Sequence, residues 1–141
     1  MTVINRFGEL RILLAEDSGM MLDLMKHLLA GFGCREVHAE FNGEHVAERY
    51  RDKRPDIVML DINMPKKNGF VVLAEILAIN PQAFVVIVSG DGTGKNVQAA
   101  LQSGARDFVV KPYKGSRIEA VLDKYLAARQ AAAAPGKDTG G

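Results

Sequence analysis

Residues 56–70 read DIVMLDINMPKKNGF, and this stretch decides the fold class. Its apolar run, residues 57–60, has the length of a short buried strand and ends at the acidic Asp61. A polar loop follows, and Gly69 then precedes apolar residues at helical spacing, namely Val72, Leu73, Ile76 and Leu77. The pattern predicts a strand, a loop and a helix in that order.

The same alternation continues in both directions from this stretch. Further apolar runs occupy residues 12–15, 84–88 and 108–110, and a weaker run includes Val37 and Ala39. Each run precedes a helical pattern, and we place the remaining helix starts at Ser18 as N-cap, Asn42, Lys95 and Ser116. Strict alternation with nearly continuous apolar strands favours a parallel sheet covered by helices on both faces. The sequence therefore predicts a doubly wound α/β domain with five strands and five helices.

The composition fits one globular domain and excludes several other classes. The chain has 141 residues, of which 48% are hydrophobic and 25% charged, and its formal net charge is +1. This weak charge argues against nucleic acid or an anionic membrane as partner. No apolar run approaches the roughly 20 residues that span a bilayer. Because Cys34 is the single cysteine, we expect a reducing, cytoplasmic location.

The composition of the two ends of the chain predicts the domain organisation. We expect an N-terminal extension over residues 1–9, without the apolar core of a signal peptide. The folded domain is expected over residues 10–130, and residues 131–141, AAAAPGKDTGG, are expected to be a flexible tail. On this interpretation no residues remain for a DNA-binding or catalytic output module.

Four of the five strands end in charged or polar residues. Glu16 and Asp17 follow the first strand, Asp61 the third, Ser89 the fourth and Lys111 the fifth. Because the carboxyl ends of parallel strands share one edge of the sheet, these side chains should meet there.

The three carboxylates repel one another at such a distance. Each close pair of like charges costs about 4 kcal/mol at an effective dielectric near 20, whereas a hydrogen bond returns only about 1 kcal/mol. A cation is therefore expected among Glu16, Asp17 and Asp61, and Mg²⁺ suits oxygen ligands of this kind. With Lys111 and Ser89 added, the pattern indicates a site that handles a phosphoryl group.

Four motifs together resemble the receiver domain of bacterial two-component response regulators. They are the acidic pair Glu16-Asp17, the stretch at residues 56–70, VVIVSG at residues 85–90 and GARDFVVKPY at residues 104–113. The resemblance covers about residues 10–128. It implies a flavodoxin-like fold with strand order 2-1-3-4-5.

The resemblance also implies a role for each matching residue. Asp61 is similar to the phosphoacceptor, which takes its phosphoryl group from a sensor histidine kinase or a histidine phosphotransferase. Glu16, Asp17, Asp61 and the backbone carbonyl of Asn63 correspond to the Mg²⁺ ligands. Ser89 and Lys111 would bind the phosphoryl group, and Lys111-Pro112 is a candidate cis peptide bond.

A switch of protein contacts follows from these implied roles. Phosphorylation would draw Ser89 inward, and Phe108 would fill the vacated space or serve only as core. The responsive surface would comprise the fourth helix, the fifth strand and the fifth helix. We expect a monomer or weak dimer that signals to an unknown downstream protein and that loses its phosphoryl group by self-dephosphorylation rather than acting as an enzyme.

The loop after the fourth strand is unusually rich in glycine, at residues 90, 92 and 94. We expect this loop to be mobile, with a high entropy cost of ordering. Asp91 lies in it, two residues after Ser89. We hypothesise that Asp91 and Asn63 tune the lifetime of the acyl phosphate.

Two alternatives remain. A phosphatase of the haloacid dehalogenase type also uses a strand-end aspartate, Mg²⁺, a hydroxyl and a lysine. That class needs an acid two residues after the nucleophile, where this chain has Asn63, and places its nucleophile on the first strand. A phosphorylation-independent adaptor is the other alternative, against which the intact set of Asp61, Ser89 and Lys111 argues.

Overall fold

Parallel strands and helices alternate along the part of the chain that the structure describes, residues 5–133. In this computed structural model the strands are β1 (Arg11–Ala15), β2 (Glu36–Glu40), β3 (Ile57–Asp61), β4 (Phe84–Ser89) and β5 (Asp107–Val110). The helices are α1 (Gly19–Gly31), α2 (Val46–Lys53), α3 (Gly69–Ile79), α4 (Gly94–Gln102) and α5 (Gly115–Ala133). Residues 1–4 of the expected extension and 134–141 of the expected tail lie outside the described residues, and α5 continues through Ala133.

The sheet has the strand order β2-β1-β3-β4-β5, so the predicted flavodoxin-like topology is confirmed. Every neighbouring pair of strands is parallel. The central strands β3 and β4 are buried along their whole length, as helices on both faces require. Alternate side chains of these strands enter two hydrophobic clusters, one including residues of α1 and α5, the other residues of α2, α3 and α4.

Residues 5–9 pack against the body of the domain. Phe7 is 4% exposed and meets the ring of Phe32, which caps α1, edge to face at 6.3 Å. The side-chain amide of Asn5 donates to the carbonyl oxygen of Gly33 at 3.0 Å. Arg6 forms ion pairs with Asp123 and Glu119 of α5. The segment therefore connects the end of α1 to α5.

The start of α2 differs from the sequence prediction. Asn42 does not begin the helix: its side chain accepts a hydrogen bond from the backbone N–H of Glu44 at 2.8 Å, and α2 begins only at Val46. The intervening Gly43 lies so close to Lys67 that a Cβ would collide with the carbonyl oxygen of that residue. This contact between two loops holds residues 42–45 outside the helix.

No helix within the described residues is long and apolar enough to cross a membrane.

Candidate functional site

The strand register gathers the predicted site residues at one edge of the sheet. Ala15 pairs with Leu60, Asp61 with Val88, and Ser89 with Val110, so the residues that end or follow these strands lie side by side. Glu16 and Asp61 are 9% and 6% exposed, and Ser89 is buried. Asp17 is exposed at the same edge. The parallel register thus brings the ends of β1, β3, β4 and β5 together at one edge of the sheet.

Lys111 connects two of the acidic side chains. Its Nζ donates to Oε1 of Glu16 at 2.6 Å and to Oδ2 of Asp61 at 3.1 Å. The backbone N–H of Lys111 donates to the carbonyl oxygen of Ser89 at 2.8 Å, which fixes the fifth strand end against the fourth. The peptide bond between Lys111 and Pro112 is cis. One ammonium group therefore lies between a strand-end aspartate and the glutamate that follows β1.

Glu16, Asp17 and Asp61 form a group of carboxylates suited to a metal ion. One oxygen of each lies within 4.8 Å of the oxygens of the other two. Three carboxylates against one ammonium leave an excess of negative charge at the edge of the sheet. Oxygen donors in such an arrangement fit a hard divalent cation such as Mg²⁺, which takes a few carboxylates and completes its octahedron with water.

The pKa values at this pocket reflect burial and close charges. Burial raises the pKa of Glu16, and neighbouring Asp61 adds to that rise, while hydrogen bonds from Lys111 and the backbone N–H of Ser18 oppose it. Burial alone would lower the pKa of Lys111. Its hydrogen bonds to Glu16 and Asp61 outweigh burial and raise that pKa above the ordinary value. The carboxylates of Glu16 and Asp61 thus stabilise the protonated form of Lys111.

Both carboxylate oxygens of Asp61 have protein partners. Oδ2 accepts from Lys111, and Oδ1 accepts from the backbone N–H of Asn63 at 3.2 Å. Behind Asp61, Gly69 donates its backbone N–H to the carbonyl oxygen of Ile62 at 2.8 Å. A Cβ on Gly69 would come within 2.5 Å of the carbonyl oxygen of Asp61. Only glycine allows this close approach, so Gly69 helps fix the turn that carries the aspartate.

Ser89 is oriented by the loop that follows it. Its Oγ accepts a hydrogen bond from the backbone N–H of Asp91 at 3.1 Å, and the residue is 0% exposed. The loop is exposed to solvent, but Asp91 accepts two further hydrogen bonds, one at its side chain from the backbone N–H of Thr93 and one at its carbonyl oxygen from the side-chain amide of Asn96. The predicted mobility of this loop stays a prediction, but its resting arrangement is well defined by hydrogen bonds.

Phe108 lies on the same face of the sheet as Ser89. It is 7% exposed and packs in the cluster that contains Ala100 of α4 and Ala105. Ile87 pairs with Phe108 and Ser89 with Val110, so Phe108 and Ser89 are diagonal neighbours on adjacent strands. The two residues are thus neighbours on one face of the sheet, and the predicted coupling between them stays a prediction.

Tyr113 lines the pocket although the sequence did not single it out. Together with Met21, Met25 and Met59 it borders a cavity of about 20 Å³ beside Glu16 and Asp61. Burial, and then the charge of Glu16, raises the pKa of the Tyr113 hydroxyl. Its place two residues after Lys111 was the only available signal, and that spacing alone does not specify where an aromatic side chain points.

Comparison with known sequences identifies one family. The profile described as response regulator receiver domain matches residues 12–123. The chemotaxis protein CheY of Thermotoga maritima is 35% identical over 114 residues, which are 81% of this chain and 95% of that protein. CheY of Bacillus subtilis is 36% identical over 116 residues, which are 82% of this chain and 97% of that protein.

Solved structures give the same result. A complex of CheX, CheY, BeF3 and magnesium from Borrelia burgdorferi contains a chain that matches with a TM-score of 0.79 and 26% identity. The match covers 83% of this chain and 89% of that one. A receiver domain from Clostridium thermocellum matches with a TM-score of 0.80 and 26% identity, over 86% of this chain and 98% of that one.

Proposed function

The chain belongs to the response regulator receiver domain family, and from that premise we propose that it is a phosphorylation switch whose phosphoacceptor is Asp61. One observation carries the proposal: Lys111 bridges Asp61 and Glu16 while Asp17 completes the acidic group. Asp61 is a nearly buried carboxylate with both oxygens held, and it faces the cleft at the strand ends.

The proposed reaction is a phosphoryl transfer. A carboxylate oxygen of Asp61 attacks the phosphorus of a phosphohistidine, the phosphorus–nitrogen bond breaks, and the donor histidine nitrogen takes up a proton. An acyl phosphate forms on Asp61. Lys111 neutralises charge on the transferred phosphoryl oxygens, and the Asn63 N–H keeps the carboxylate oriented. Once the Ser89 hydroxyl no longer accepts the hydrogen bond from the backbone N–H of Asp91, it donates a hydrogen bond to the phosphoryl group of the product.

Magnesium is the proposed cofactor, held by Glu16, Asp17, Asp61 and the backbone carbonyl of Asn63. When bound, Mg²⁺ supplies positive charge that offsets the acidic group and the incoming phosphoryl oxygens. The clustering of the three carboxylates supports this assignment, as does the magnesium in the Borrelia complex.

The proposed donor is a sensor histidine kinase or a histidine phosphotransferase, acting in the cytoplasm. The free, buried thiol of Cys34 fits a reducing compartment. The output is a change in protein contacts on the surface formed by α4, β5 and α5. Leu101 and Val110 are 47% and 44% exposed on α4 and β5, so this surface already offers apolar area to a partner.

We further propose that Asn63 and Asp91 set the lifetime of the acyl phosphate. Both residues are exposed, and they lie two positions after Asp61 and Ser89 respectively. Asp91→Ala and Asn63→Ala should change the rate of dephosphorylation. Equal decay rates for the two variants and the wild type would remove this part of the proposal.

The decisive experiment is incubation with acetyl phosphate and Mg²⁺, followed by intact-mass measurement. We expect one added phosphoryl group, none in Asp61→Asn, and none after chelation of the metal. If the wild type gains no mass while it remains folded, the chain is a phosphorylation-independent adaptor. A phosphatase of the haloacid dehalogenase type gains no support, because Asn63 stands where that mechanism needs an acid.

A further inference from the structure

A ladder of hydrogen bonds runs from Ser89 through the loop at residues 90–93 into the first turn of α4. The Oγ of Ser89 accepts from the backbone N–H of Asp91 at 3.1 Å. The Oδ1 of Asp91 accepts from the N–H of Thr93 at 3.2 Å, and the Oγ1 of Thr93 caps α4 by accepting from the N–H of Asn96 at 3.3 Å. The loop is thus connected to the helix through local side-chain contacts.

Asn96 adds a further hydrogen bond to Asp91, and we call this bond between the two residues the clasp. Its side-chain amide donates to the backbone carbonyl oxygen of Asp91 at 2.8 Å, the shortest contact in the set. Asp91 is therefore held on both sides of its peptide backbone, by Ser89 through its N–H and by Asn96 through its carbonyl. Gly92, the next residue, fits against Val110 of β5 so closely that a Cβ would come within 2.6 Å of its Cγ2.

We infer that Asn96 is a positioning residue for Ser89, which it holds in the resting orientation through Asp91. The inference rests on the proposed function and adds to it a residue that touches neither Asp61 nor the metal ligands. When Ser89 moves its hydroxyl towards a phosphoryl group, the Asp91 N–H loses its acceptor and the loop must shift. The clasp opposes that shift because it fixes the Asp91 backbone to α4.

Removing the clasp should therefore favour the state that binds a phosphoryl group. The loss of one hydrogen bond of ordinary strength changes such an equilibrium by about fivefold. The expected direction is a gain of affinity for a phosphoryl analogue, which damage to the fold would not produce.

Two substitutions separate the clasp from the stability of α4. Asn96→Ala removes the donor. Asn96→Asp keeps the shape and replaces the donor by an acceptor, while a negative charge in the first turn stabilises the helix. Gln98→Ala is the matched control, on an exposed position of the same helix. Affinity for beryllofluoride in the presence of Mg²⁺ is measured by titration calorimetry.

We expect both Asn96 variants to bind beryllofluoride about fivefold more tightly than the wild type and the Gln98 variant. Unchanged or weaker binding in Asn96→Asp would overturn the inference.

A second readout needs no phosphoryl analogue. Solvent exchange of the Asp91 amide, measured by NMR, should be faster in both Asn96 variants than in the wild type and the Gln98 control. If the wild type binds no beryllofluoride, the proposed function fails, and this exchange rate still tests the clasp. Equal exchange rates in all four proteins would show that Asn96 does not hold the backbone of Asp91, whether or not the protein is phosphorylated.

Discussion

Asp17 is the exposed member of an acidic group whose other two carboxylates, on Glu16 and Asp61, are nearly buried. Lys111 contacts Glu16 and Asp61 directly. Repulsion within the group is therefore only partly offset in the metal-free protein, and the residual cost is the driving force for cation binding. At the scale of single residues, this repulsion would lower the stability of the metal-free protein and favour binding of the proposed Mg²⁺.

Asp17→Asn should thus stabilise the metal-free protein and weaken its response to metal. We expect a gain on the order of 1 kcal/mol in the free energy of unfolding in chelator, after screening at an exposed position. We also expect most of the stabilisation by Mg²⁺ to be lost, as followed by urea unfolding with and without the ion. Asp23→Asn, on the exposed face of α1, is the control and should do neither. A variant that loses stability in chelator would show that Asp17 has no repulsive role.

Lys66 has an unfavourable backbone conformation in the loop that follows Asp61. Its φ is +74°, a region that L-residues other than asparagine and aspartate rarely occupy. We expect Lys66→Gly to raise the free energy of unfolding by up to about 1 kcal/mol, because relief of this strain exceeds the extra entropy of glycine in the unfolded chain. Lys66→Ala retains the strain and should give no such gain in urea unfolding. Equal stability of the glycine and alanine variants would contradict this interpretation.

At the scale of elements, the segment at residues 5–9 acts as part of the core rather than as an appendage. Phe7 enters the hydrophobic cluster between α1 and α5, and Arg6 lies over its ring at 4.5 Å. This contact is at the end of α1 opposite to Glu16 and Asp61, because α1 starts near these residues and runs away from them. The segment should therefore affect stability and leave the chemistry unchanged.

Phe7→Ala should destabilise the fold by about 3 kcal/mol, the cost typical of removing a buried aromatic ring. Arg6→Ala should cost less than about 1 kcal/mol, because its ion pairs are exposed. Urea unfolding measures both values. The folded Phe7 variant should still be phosphorylated by acetyl phosphate at the wild-type rate. A loss of less than about 1 kcal/mol in Phe7→Ala would contradict the core role of the segment.

Comparison of these elements with the sequence shows what local pattern can predict. The five strands and the site residues at their ends were predictable, because apolar runs identify strands and parallel connection places their ends together. The burial of Phe7 was not predictable, since a single aromatic in a polar stretch has no periodicity. The start of α2 was also missed, because it depends on a contact between Gly43 and Lys67 across two loops. The partner of the Ser89 hydroxyl depends on loop geometry that residue spacing does not encode.

At the scale of the whole molecule, the pocket is connected to one surface more directly than to the others. Ser89 leads through the loop to α4, and Gly92 of that loop contacts Val110 on β5. The N-terminal segment packs at the far end of α1, and α2 packs mainly against α3 and β1. A change at Ser89 should therefore be felt mainly at α4 and β5.

Hydrogen exchange in the presence of beryllofluoride and Mg²⁺ tests this direction of transmission. We expect altered exchange at residues 89–110, which include the loop, α4 and β5, and unchanged exchange in α2 and residues 5–9. The physical reason is that the loop must shift when Ser89 leaves the Asp91 amide. Changes concentrated in α2 would place the responsive surface elsewhere.

The most direct measurement is to trap the phosphorylated residue chemically. Protein treated with acetyl phosphate and Mg²⁺ is reduced with borohydride, which converts an aspartyl phosphate to homoserine, and the peptides are then sequenced by mass spectrometry. We predict homoserine at position 61 in the wild type and no reduced residue in Lys111→Met or Asp61→Asn. Reduction at another carboxylate of the wild type, or none at all in protein that remains folded, would contradict the assignment of Asp61 as phosphoacceptor.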